Sequence, residues 1–212
     1  ADMHLAYLPN QLTGIRLRLT VAGGEKTAAL RRMEEKIEEL KPLLGELLYS
    51  LQEDTLEAVV GRLLRERGET LSAAESCTGG EIAHLLTGVS GASDYFLGSV
   101  TSYSPEVKKK VLGVPGRTIE EKGIVSSEVA AAMAEGVKAL LGSTYSVATT
   151  GWADAYGDDR EPAGTVWIGV SGPAGTKTVR CNFHNDRKRN IERFSASALD
   201  FLRRYIIEQQ KY

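Results

Sequence analysis

The sequence predicts an α/β fold: a three-layer α/β/α sandwich with a mixed, mostly parallel sheet, plus a small N-terminal α+β appendage. Three observations lead there. Apolar runs of strand length alternate with segments whose apolar residues recur at helical spacing. The runs 165–170 and 177–182 flank Gly172-Pro173-Ala174-Gly175 as a hairpin, which makes the sheet mixed. The first third departs from this alternation, with two strand-like stretches and one amphipathic helix.

In chain order, a short strand is expected at 5–8, a turn at Pro9-Asn10, and an alternating strand at 15–21 that stops at Gly23-Gly24. From 27 to about 47, Leu30, Met33, Ile37 and Leu40 mark an amphipathic helix broken near Pro42. A second helix, 56–67, carries Leu56, Val59, Val60, Leu63 and Leu64 on one stripe, with Asp54 as its expected cap and Gly68 as its stop. A buried strand at 71–74 then runs into a Gly79-Gly80 turn and the helix 81–86. A strand at 95–103 follows, then a helix at 105–112 whose Pro105 suits the first turn. Ser126 or Ser127 opens a helix over 127–141, and 145–149 is a strand ending at Thr150-Gly151. A polar loop covers 152–162, and an amphipathic helix over 187–208 closes the chain. The expected domains are 1–52 and 53–212.

The chain of 212 residues balances 26 Lys and Arg against 28 Asp and Glu, so it offers no broad electrostatic footprint for nucleic acid. Its two cysteines, Cys77 and Cys181, are too few for a disulfide framework and are expected to be free thiols in a reducing, cytoplasmic compartment. No apolar stretch has the length of a membrane span, and the start lacks the layout of a signal peptide. A first residue other than Met is expected of a piece of a longer protein.

Ligands of open α/β sheets sit beyond the carboxyl ends of the strands, which draws attention to the loops at 75–80, at 150–162 and after Tyr103. Around Ser76-Cys77-Thr78-Gly79-Gly80, glycines let backbone N–H groups approach an anion and the hydroxyls add donors. The same residues would also serve a plain tight connection with Ser76 as a helix cap. The Gly-Lys-Ser/Thr phosphate loop is absent, which argues against nucleoside triphosphate hydrolysis. Ser93 and Lys108, fifteen residues apart, supply a serine and an amine that could act as its base once burial lowers the amine's affinity for protons. On sequence alone, Lys108-Lys109-Lys110 is more often a solvated helix face. Asp186-Arg187 could set a guanidinium against a phosphate or form an ordinary charged first turn. His4, His84 and His184 lack metal-ligand spacing, and Cys77 has no histidine placed to activate it. Asp154, Asp158 and Asp159 lack the calcium-loop pattern and are expected to be a solvated loop.

Several segments taken together resemble the C-terminal domain of the CinA (competence/damage-inducible) family. They are Ala74-Glu75-Ser76-Cys77-Thr78-Gly79-Gly80, Gly91-Ala92-Ser93-Asp94-Tyr95-Phe96, Tyr103-Ser104, Lys108, Leu112-Gly113-Val114, Gly123-Ile124-Val125-Ser126 and Pro162-Ala163-Gly164-Thr165-Val166-Trp167. His4-Leu5-Ala6-Tyr7-Leu8-Pro9 and Arg16-Leu17-Arg18-Leu19 look like the tail of the KH-like middle domain of such proteins. The resemblance implies a nicotinamide mononucleotide deamidase that needs no metal and no cofactor. It implies Ser93 as nucleophile, Lys108 as its base and Tyr103 in support. Ser76, Thr78, Gly79, Thr150 and Gly151 would line the substrate pocket, with Arg187 at the phosphate. A small nucleotide is the implied partner, with no nucleic acid or membrane, and a homodimer is the expected assembly. Family members carry a Gly-Pro-Gly-Gly-rich loop where this chain reads Trp152-Ala153-Asp154-Ala155-Tyr156-Gly157-Asp158-Asp159-Arg160-Glu161-Pro162. A nucleotide-binding or assembly module without turnover is the alternative reading.

Overall fold

The computed structural model describes residues 2–10, 14–154 and 156–209. These fall into two compact units, Ala1–Asp54 and Thr55–Tyr212.

In the first unit, β1 (Asp2–Asn10) pairs antiparallel with β2 (Gly14–Ala22), in a register running from Asp2 opposite Ala22 to Asn10 opposite Gly14. Pro9 and Asn10, expected as a turn, therefore belong to the strand; a two-stranded ribbon is all edge and tolerates proline. The connection at 11–13 lies outside the described residues. The helix α1 (Lys26–Leu44) is capped by Glu25, whose carboxylate accepts from the N–H of Thr27 and of Ala28. Pro42 sits in its last turn without ending it, and Gly45 provides the cap.

The second unit begins with α2 (Leu56–Arg67), stopped by Gly68 in the left-handed region at φ 61°. Its N-cap is Thr55, not Asp54, which instead accepts from Ser50 Oγ at 2.6 Å. There follow β3 (Leu71–Glu75), α3 (Glu81–Thr87), β4 (Phe96–Thr101), α4 (Pro105–Leu112), α5 (Gly116–Lys122) and α6 (Ser127–Leu141). The unit ends with β5 (Tyr145–Gly151), β6 (Thr165–Gly172), β7 (Gly175–Asn182) and α7 (Arg187–Glu208). The seven-residue α5 escapes a periodicity search because Ile119 is its only large apolar residue.

The five strands lie in the order β4-β3-β5-β6-β7. β3 is parallel to both β4 and β5, whereas β5 to β6 and β6 to β7 are antiparallel. Alternation along the strands divides the core between two faces. Ala73, Val147, Val166, Ile168 and Val170 join Val60 and Leu64 of α2, Ile82 and Leu86 of α3, and Phe194, Ala198 and Leu202 of α7. Ala74 and Ala148 point the other way, against Leu112 of α4 and Val129, Met133, Ala134 and Val137 of α6. The side chains on that face of the sheet are small, and α6 lies close upon it. A Cβ at Gly169 of β6 would stand 2.4 Å from the Ala130 carbonyl. The chain leaves β3 toward the first face and β4 toward the second. That divergence opens a crevice between their carboxyl ends.

Candidate active site

The crevice is built on a buried carboxylate. Glu75, the last residue of β3, is fully buried, which an acidic group tolerates only with partners. Its Oε2 accepts from Thr78 Oγ1 at 2.8 Å, Gly80 N at 3.0 Å and Ile82 N at 3.1 Å, and Oε1 accepts from Ala83 N at 2.9 Å. Glu75 thus satisfies the orphan amides that open α3, a task that falls to side chains where no preceding turn exists. Gly79 and Gly80 make this possible with φ of 64° and 105°, turning the chain back over its own strand. The Ser76 N–H is fixed to the Thr149 carbonyl of β5 at 3.1 Å. The segment that presents Ser76 is therefore anchored on both sides.

Lys108 arrives from the other wall. Ser104 caps α4 through an acceptor bond from Val107 N, and Pro105 occupies the first turn, so the helix points Lys108 inward one turn later. The side chain is entirely buried, and its Nζ lies 2.8 Å from Ser76 Oγ and 2.5 Å from the Ser102 carbonyl oxygen. Burial pulls the amine down from its ordinary 10.5 to about 8, because the charged form loses its hydration. The neighbouring Cys77 thiol is pushed by burial up to about 12, which keeps it protonated and poorly nucleophilic. Among the described residues, the backbone N–H groups of Cys77 and Thr78 reach no backbone carbonyl.

Three segments meet at the mouth. Tyr103, 64% exposed, follows Ser102 directly. Its hydroxyl accepts from Arg187 Nη2 at 3.2 Å, while Arg187 Nη1 donates to Asp154 Oδ2 at 2.5 Å. Asn190, one turn further along α7, donates to the Ala153 carbonyl at 2.9 Å and so fastens the start of the 152–162 loop. A cavity of about 540 Å³ lies between Thr78-Gly79-Gly80, the start of α3 at Glu81 and His84, and Lys188, Ile191 and Glu192 of α7.

This architecture and its sequence have known counterparts. Residues 53–206 match the family model described as the CinA C-terminal domain. The chain belongs to the CinA family. A CinA-like protein of Salinibacter ruber is 45% identical over 204 residues, covering 96% of this chain and 49% of the relative. One from a Cyanothece strain is 42% identical over 195 residues, covering 91% and 47%. The chain thus spans about half the length of the curated relatives it matches. Among solved structures, competence damage-inducible protein A (ComA) of Klebsiella pneumoniae aligns with a TM-score of 0.69 at 34% identity, covering 70% of this chain and 93% of that one. The competence/damage inducible protein CihA of Agrobacterium tumefaciens aligns with a TM-score of 0.66 at 29% identity, covering 72% and 96%.

Against this CinA frame, the residues singled out by sequence separate into those brought together and those held apart. Ser76, Lys108, Tyr103, Gly151 and Arg187 gather at the carboxyl end of the sheet. Ser93 does not. It is exposed in the short turn Ala92–Asp94 that precedes β4, whereas Lys108 bonds to Ser102 just beyond that strand. The six residues of β4 lie between them, an extended path of roughly 20 Å at the usual rise per residue. The Ser93–Lys108 pairing expected from sequence is therefore corrected to Ser76–Lys108. Thr78 is turned inward, its hydroxyl shared between Glu75 and Thr149 Oγ1 at 2.8 Å each. Thr150 donates its hydroxyl to the Ile124 carbonyl at 2.8 Å, so it braces a loop instead of facing a ligand. Gly79 lines the cavity, and Gly151 passes so close to Cys77 that a Cβ there would stand 3.1 Å from the thiol sulfur. Sequence reasoning passed over Glu75, Thr149, Ser102 and Asn190. For Glu75 a signal exists: an acid ending a strand of otherwise uncharged residues, Leu71-Ser72-Ala73-Ala74, must find donors, and the following Gly-Gly turn supplies them.

Proposed function

We propose that the Ser76–Lys108 pair hydrolyses the carboxamide of nicotinamide mononucleotide, yielding nicotinic acid mononucleotide and ammonia. The observation that carries the reading is the fully buried Lys108 amine, brought down to about 8 and 2.8 Å from a serine hydroxyl at a strand-to-helix turn. A lysine so placed can be neutral near physiological pH and take a proton. The choice of substrate rests on what the resemblance to the CinA C-terminal domain implies.

In this mechanism the neutral Nζ accepts the Ser76 proton as Oγ bonds to the carboxamide carbon. The carbonyl oxygen becomes an oxyanion, for which the Cys77 and Thr78 N–H groups beside Ser76, bonded to no backbone carbonyl among the described residues, would be the donors. Collapse of the tetrahedral adduct breaks the C–N bond, and the Lys108 ammonium returns the proton to the departing nitrogen, which leaves as ammonia. Water then attacks the ester, giving a proton to Lys108, which passes it to Ser76 Oγ as the ester C–O bond breaks, and the acid so formed ionises as nicotinic acid mononucleotide leaves. No step calls on a metal. Arg187 would meet the 5′-phosphate, with Tyr103 steadying its guanidinium. Residues 1–52 would be the remnant of a KH-like domain, and the working form would be a cytoplasmic homodimer.

The test is ammonia release from nicotinamide mononucleotide by the purified chain in the presence of a chelator. Stoichiometric ammonia and nicotinic acid mononucleotide are expected. Calorimetric binding of the mononucleotide without turnover would replace the amidase by a nucleotide-binding module.

A further inference from the structure

We propose that Asp154 holds the place of the ligand's phosphate on Arg187, so that a phosphate-bearing ligand enters by displacing a carboxylate of the protein itself. This rests on the reading of Arg187 as the phosphate residue. The two terminal guanidinium nitrogens have different partners: Nη1 is held by Asp154 at 2.5 Å and Nη2 by the Tyr103 hydroxyl at 3.2 Å. An anion can therefore take Nη1 from Asp154 while the bond to Tyr103 keeps the guanidinium where it is.

The loop is fastened immediately before the carboxylate. Trp152 N donates to the Thr165 carbonyl at 2.8 Å, Gly164 N to the Trp152 carbonyl at 2.8 Å, and Asn190 Nδ2 to the Ala153 carbonyl at 2.9 Å. Asp154 is the first residue past these anchors, and its side chain is 52% exposed against 43% for Arg187. A pair so open to water holds only weakly. Phosphate carries more charge than a carboxylate and has three oxygens for the guanidinium fork, so it wins the exchange. Lys188, next along α7, lines the adjacent cavity and adds a second cation on that side, while Glu81 and Glu192 line it too. Those two carboxylates offset Lys188, so the cavity wall itself carries no surplus of positive charge, and the hold on an anion falls to Arg187 once it is released. Asp154 weakens phosphate binding twice over, by occupying Arg187 and by repelling the incoming charge.

The experiment is calorimetric titration with ribose 5-phosphate and with ribose. Asp154→Asn should bind ribose 5-phosphate about three- to fivefold more tightly than the native chain, as loss of an exposed competing pair implies. Asp154→Ala should do the same, neither variant should gain affinity for ribose, and adding Arg187→Ala should erase the gain. Equal affinity of native and Asp154→Asn chains for ribose 5-phosphate, or a gain that survives Arg187→Ala, would overturn the proposal. The amidase reading fails separately. Tightened ribose 5-phosphate binding without ammonia release removes only the amidase, whereas ammonia release without tightening removes only the role of Asp154.

Discussion

The Nζ of Lys108 and the Oγ of Ser76 come from opposite walls of the crevice between β3 and β4 and meet at 2.8 Å, with the Ser102 carbonyl completing the amine's contacts. Among the described residues, the hydroxyl that the lysine addresses is that of Ser76. Ser76→Ala should lower kcat for ammonia release about a thousandfold or more, the usual cost of losing an activated nucleophile. Ser93→Ala, altered on an exposed turn at the other end of β4, should stay within about twofold, as surface changes do. Steady-state ammonia assays on both variants decide between the two serines. A loss confined to Ser93→Ala would return the chemistry to that turn.

The pH dependence follows from the same contact. With its amine near 8, about a tenth of Lys108 is neutral at pH 7, and that fraction rises tenfold per pH step below 7. The pH profile of kcat/KM should therefore climb from pH 6 and level off above about 8. Lys108→Arg, which stays charged throughout, should be inactive across the range. A profile flat from pH 6 to 9 would contradict a lysine base.

Much of the fold could be read from sequence because local and tertiary preferences agree. Gly68, Pro105, Ser126 and Asp186 mark helix ends that the structure keeps. The site was legible in its segments but not in its pairing. The motif resemblance points to Ser93, fifteen positions before Lys108, whereas the crossover topology carries Lys108 over the end of β3 to a serine 32 positions earlier. Helical periodicity places Lys108 on α4 but cannot distinguish the one lysine of three that faces the sheet. Asp154 reads as a solvated loop acid until α7 brings Arg187 against it from 33 positions away.

The buried Glu75 should matter to folding as much as to reaction. Glu75→Gln keeps the shape but leaves one oxygen to serve four donors, and turns an N–H₂ toward N–H groups that need an acceptor. Bonds to a charged acceptor contribute about 1.5–3 kcal/mol each, so a loss of roughly 2–4 kcal/mol is expected in urea unfolding. The Ser76 turn loosens with it, so kcat should fall even where the variant is fully folded. A variant as stable as the native chain would show that the α3 amides do not depend on this carboxylate.

Lys108 also makes stability depend on pH, with a sign set by its lowered proton affinity. In the unfolded chain the amine titrates near 10.5, and in the folded one near 8. Below pH 8 both states carry the proton, and the folded state bears the full cost of burying a charge, about 3 kcal/mol. Between pH 8 and 10.5 the unfolded chain binds more protons than the folded one, so this cost disappears as pH rises. Lys108→Met removes the charge at every pH but forfeits hydrogen bonds to Ser76 and Ser102, about 1 kcal/mol each. The variant should thus be more stable than the native chain by about 1 kcal/mol at pH 7, lose that lead by about pH 9, and fall behind near pH 10. Urea midpoints measured at these three pH values give the difference directly, since groups titrating alike in both proteins cancel. A difference that does not change with pH would mean that the folded and unfolded lysines hold their protons equally well, and the case for Lys108 as a base would lose its physical footing.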